Sequence, residues 1–79
     1  MRKIDRSGRT PPWRQIADHL RAEILAGRYS PDGPAVPSAN ELGRDWGVAR
    51  RTALKALHSL AEEGLIESEI GMGFFVTRR

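Results

Sequence analysis

The sequence predicts a mainly α-helical domain closed by a small C-terminal β-hairpin. Three observations carry this prediction. Apolar residues recur at three- and four-residue spacing in three separate stretches, as they do on the buried face of a helix. Each stretch stops at a glycine: Gly27, Gly47 and Gly64. Beyond Gly64 the pattern loosely alternates, and two short runs flank the turn Gly71-Met72-Gly73. With 79 residues the chain forms one small domain with a modest core and limited stability.

Residues 1–10 hold few apolar groups and several arginines, and are expected to form a flexible basic arm before a domain spanning 11–79. Pro11-Pro12 then opens the first helix, because the N–H that proline lacks has no partner in a first turn. Trp13, Ile16, Ala17, Leu20, Ile24 and Leu25 form its apolar stripe, and Gly27 is free to take the left-handed closing conformation. The following Ser30-Pro31-Asp32-Gly33-Pro34 excludes regular helix, and Ala35-Val36 could form one short strand. Ser38-Ala39-Asn40-Glu41 reads as a capping box that starts a short second helix, with Leu42 and Trp46 inward. The third helix runs from about Arg50 to Glu63 on a stripe of Ala53, Ala56, Leu57, Leu60 and Ala61. Its alanines admit a close neighbouring helix. Leu65–Ile70 and Phe74–Thr77 are the strands of a hairpin too small to stand alone, so it must pack on the helices. Three helices followed by such a hairpin make the winged helix-turn-helix arrangement.

Composition narrows the function. The net charge is +3, and residues 1–29 hold seven cations against three carboxylates, so the basic excess lies in the arm and first helix. That balance suits a polyanionic partner, although a slightly basic surface also keeps a protein in solution. There is no cysteine, hence no disulfide and no thiolate metal site. No apolar run approaches the roughly 18 residues of a membrane span, and the charged N-terminus does not read as a secretory signal. The expected location is cytoplasmic, on the nucleoid when bound.

The most informative segment is Gly47-Val48-Ala49-Arg50-Arg51-Thr52. It joins two helical patterns by a tight turn and loads the first turn of the third helix with two cations and a hydroxyl. A helix N-terminus of this kind can enter the DNA major groove. Arg50 is the foremost contact, because a cation at the positive end of a helix dipole is otherwise disfavoured. Arg51 and Thr52 share its turn, Lys55 lies one turn on, and Arg14 opens the first helix where a phosphate could be met. Ser38 is a cap before it is a contact. Trp13 and Trp46 lie on apolar stripes and read as core rather than stacking platforms. His19 and His58 stand far apart without acidic or thiol neighbours at ligand spacing, so no metal or other cofactor is expected. No arrangement argues for an enzyme.

Several stretches together resemble the N-terminal domain of GntR-type bacterial regulators. Pro11 to Asp18 resembles that family's PLYxQIAD, Glu23 to Arg28 its EILSGR, and Pro37 to Leu42 its PSERELA. Gly47 to Thr52 with Ala56-Leu57 resembles GVSRTTVREAL, Leu60 to Ile66 resembles LEAEGLI, and Gly71 to Val76 resembles GRGTFV. All six occur in order across residues 11–76. The resemblance implies a winged helix that binds operator DNA, usually as a dimer on a pseudo-palindrome, in a transcriptional regulator expected to be a repressor. It implies contacts from Ala49, Arg50, Arg51, Thr52 and Leu54, from Asn40 on the second helix, and from Ile70, Gly71 and Met72 in the wing. Family members usually continue into an effector-binding, dimerising domain; no effector is expected to bind within residues 1–79.

Departures from the family pattern are informative. Asn40 replaces an arginine, although an amide can still read adenine or bond a phosphate. Ala49 replaces a hydroxyl N-cap. Leu54 stands where arginine is usual and either meets a thymine methyl or joins the core. Glu67, Ser68, Glu69 and Met72 occupy a wing that is often basic. The competing reading is therefore a winged helix used as a protein-interaction module through its acidic hairpin.

Overall fold

The computed structural model describes residues 3–69, 71 and 73–77. Three helices, α1 (Pro12–Leu25), α2 (Ala39–Trp46) and α3 (Arg50–Glu62), precede a hairpin of β1 (Ile66–Glu69) and β2 (Gly73–Val76). This is the expected winged helix-turn-helix order.

Each boundary has a local cause. Pro12 occupies the first position of α1. At its end the Gly27 N–H donates to the Ile24 carbonyl and the Arg28 N–H to the Glu23 carbonyl, with Gly27 at φ 84°. That pair of bonds closes the helix and needs a left-handed residue, which glycine adopts without strain. Around Gly64 the same pattern ends α3, with Leu65 N–H donating to the Leu60 carbonyl. The capping box of α2 is complete: Ser38 Oγ accepts from the Glu41 N–H at 3.1 Å, and the Glu41 carboxylate accepts from the Ser38 N–H at 2.9 Å. These bonds hold the Glu41 carboxyl below its ordinary pKa. Ala49 begins α3 without any side-chain cap.

The core lies where α1, α2 and the hairpin meet α3. Ile16, Ala17, Leu20 and Ile24 face Ala53, Ala56, Leu57 and Leu60, and Ala39, Leu42, Val36 and Ile66 complete the cluster. Leu25 departs from the expected stripe and is 73% exposed. At about 100° per residue it lies some 130° from the centre of the face formed by Ile16, Ala17, Leu20 and Ile24, which puts it on the solvent side. Trp13 and Trp46 are half-buried and pack against the core from its margin.

The hairpin is antiparallel, with Ile66 opposite Val76 and Glu69 opposite Gly73. Gly73 thus belongs to the strand, although the sequence places it in the turn. Ala35-Val36 contributes one bridge rather than a strand: the Val36 N–H donates to the Phe74 carbonyl at 3.0 Å. The segment expected to be an arm carries its own contacts. Gln15 Nε2 donates to the carbonyls of Asp5 and Thr10, its Oε1 accepts from the Asp5 N–H, and Ile4 packs against the core.

Candidate nucleic-acid interface

The leading end of α3 and the first turn of α2 converge on one surface. Gly43 makes this possible. A Cβ at that position would stand 3.1 Å from the Val48 carbonyl oxygen, so the missing side chain lets the turn close against α2. Gly47, at φ 66°, reverses the chain, and the Val48 N–H returns to the Gly43 carbonyl. Arg50 then emerges beside Asn40, and its Nε–H donates to Asn40 Oδ1 at 3.1 Å. Ala39, Asn40, Gly43, Arg44, Val48 and Arg50 line an open groove of about 480 Å³.

Charge is distributed unevenly over the molecule. Among the described residues two arginines are held in ion pairs, both away from this surface. Arg21 donates to Asp18 and to both oxygens of Glu63, and Arg28 pairs with Glu23. The Arg21 hydrogen bonds hold the Glu63 carboxyl below its ordinary pKa. Arg50, Arg51 and Lys55 are exposed and have no carboxylate at ion-pair distance among the described residues. The first turn of α3 also contains no acidic residue, so cations sit uncompensated at the positive end of the helix dipole.

The other expected contacts are placed as follows. Thr52 is half-buried beside Arg51; Leu54 is half-buried and packs against the core; Ala49 is exposed at the helix start. Lys55 Nζ lies 5.1 Å from the centre of the Trp13 ring, a cation–π distance that gathers it toward α1. Arg14 is exposed on the first turn of α1. Ser38 is half-buried with its oxygen engaged in the cap. Gly71 is exposed in the hairpin turn at φ 76°. Ile70 and Met72 lie outside the described residues. Arg44 lines the groove without having been singled out from the sequence. The signal was available, since it follows Asn40 by four residues and shares its helix face.

Comparison with known proteins decides the family. Residues 12–76 match the model for bacterial regulatory proteins of the gntR family. The chain belongs to that family. An uncharacterized HTH-type transcriptional regulator, RB1450 of Rhizobium meliloti, is 43% identical over 67 residues, covering 85% of this chain and 27% of the relative. The mannosyl-D-glycerate transport/metabolism system repressor MngR of Escherichia coli is 41% identical over 69 residues, covering 87% and 28% respectively. The chain therefore spans little more than a quarter of the length of these relatives. Among solved structures, the DNA-binding domain of AraR in complex with operator ORX1 superposes with a TM-score of 0.86. Its identity is 30%, and the match covers 98% of this chain and 96% of that one.

Proposed function

We propose that this chain reads duplex DNA sequence-specifically and forms the operator-binding part of a transcriptional repressor. The leading turn of α3 enters the major groove, where Arg50, Arg51 and Thr52 meet base edges. Lys55 and Arg14 meet phosphates, and two copies sit on the halves of a pseudo-palindromic operator. The observation that carries this reading is the cation set of the leading turns of α3, Arg50, Arg51 and Lys55, which no carboxylate pairs among the described residues, whereas Arg21 and Arg28 are held by carboxylates. Each phosphate neutralised should contribute about −0.9 to the slope of log K against log salt. The relatives that support it include a named repressor and a domain solved on its operator.

Selection from a random duplex library, followed by titration of the recovered site at two salt concentrations, tests the proposal. An enriched inverted repeat is expected, bound with steep salt dependence. Arg50→Ala should then cost about 1–3 kcal/mol if Arg50 grips a guanine. Absence of any enriched sequence would overturn the reading. The acidic hairpin favours a second use of the fold, because Glu67, Ser68 and Glu69 are all exposed. A protein contact there would survive high salt and Arg50→Ala, and would respond to Glu67 and Glu69.

A further inference from the structure

The Asn40–Arg50 pair assigns these two residues unequal tasks. Arg50 occupies the first position of α3, where no acidic side chain and no side-chain N-cap fixes its direction. Its Nε–H reaches one acceptor, Asn40 Oδ1, at 3.1 Å. Nε can only donate, so the amide oxygen must be the atom facing it. Asn40 is itself firmly based. It lies between buried Ala39 and buried Leu42, in the turn locked by the Ser38–Glu41 capping box. The neighbouring Glu41 carboxylate is drawn back onto the Ser38 N–H, so the neutral amide and not a carboxylate meets Arg50.

The remaining chemistry follows from the shape of a guanidinium. Five N–H groups lie in one plane, and guanine offers O6 and N7 as a pair of acceptors. With Nε occupied, the two terminal nitrogens are the fork left for a bidentate contact. Adenine recognition by Asn40 would require its amide N–H and its oxygen together, and that oxygen would then have to accept from the base while holding the Arg50 Nε–H.

We infer that Asn40 is a positioning residue: it steers the Arg50 guanidinium end-on to a guanine and does not read a base itself. This rests on the proposed reading of duplex DNA by α3 and makes the second helix an indirect determinant of which base pair is preferred.

The experiment compares base preference, position by position, for the wild type, N40A, N40D, R50A and the double variant N40A/R50A, by library selection and by titration against single-base variants of the recovered site. R50A identifies the base pair that Arg50 reads. N40A is expected to weaken the guanine preference at that same pair by about three- to tenfold, the range for one hydrogen bond, with the salt slope unchanged. The double variant should match R50A at every position. N40D keeps the acceptor while adding a charge that DNA repels. It should therefore bind more weakly to all sequences yet retain the preference at that pair. Thermal midpoints measured alongside separate a lost fold from a lost preference, and N40D carries the test should N40A not fold. Relaxation by N40A of a different base pair, no change of preference, or loss of preference in N40D would each overturn the inference while leaving DNA reading intact. Failure of the wild type to enrich any sequence would overturn both.

Discussion

Glu63→Gln probes how the end of the third helix is tied to the first. In the wild type both Glu63 oxygens accept from Arg21, through Nε at 2.9 Å and through a terminal nitrogen, while Asp18 accepts from the remaining one. The side chains are 31% and 38% exposed, so water screens the attraction strongly. Removing the Glu63 charge leaves Arg21 still paired with Asp18, so no buried cation is stranded. The expected loss at neutral pH is about 0.5–1 kcal/mol, a fall of about 2–8 °C in melting temperature for a domain of this size. The pH dependence fixes the cause. Arg21 lowers the Glu63 pKa in the folded state, so the folded protein holds this carboxylate ionised where the unfolded chain binds a proton. The stabilisation is complete above the ordinary glutamate pKa of about 4.3 and fades as pH falls through the lower folded value. Thermal melts followed by circular dichroism from pH 7 to pH 2 should show the gap between wild type and variant closing in that acid window. A gap independent of pH would refute the argument, as would one that widens with acid. Because α3 separates Glu63 from Arg50 by 13 residues, about 20 Å of helix, base preference at neutral pH should be unchanged.

Ala49→Ser supplies the N-cap that α3 lacks and should raise stability by about 1 kcal/mol, read as a higher melting temperature. Leu57→Ala opens a cavity at a fully buried position and should cost about 2–5 kcal/mol in urea titration, a large share of the stability of so small a domain. Lys55→Gln removes one phosphate cation; the slope of log K against log salt should shrink by about 0.9 with base preference intact.

The helices were legible because their signals are local. Proline at a first turn, the Ser38–Glu41 box and the left-handed glycines each act within a few residues, and the structure reproduces them. Leu25 was misread because it stands just past the edge of the stripe: Ile24 takes the core edge, and a further turn of about 100° puts Leu25 in solvent. The candidate site was legible in residue type and not in arrangement. Asn40 and Arg50 are ten residues apart, and only the tight turn allowed by Gly43 brings them together. Lys55 over Trp13 and Arg21 against Glu63 are likewise contacts between helices, which spacing within one helix does not report. Gln15, in the middle of a family motif, proved to be the anchor of the preceding segment.

The single bridge from Val36 to Phe74 bears on why the wing is acidic. β2 has β1 on one side and Val36 on the other, so its backbone is partly covered along both edges. Among the described residues β1 pairs with β2 alone, and a strand edge without a neighbour is where a strand from a second molecule could add. Glu67 and Glu69 stand on that strand, exposed, with Ser68 between them. Carboxylates from two approaching edges would repel. The charge pattern that sets this wing apart thus has a use in keeping the molecule from assembling edge to edge.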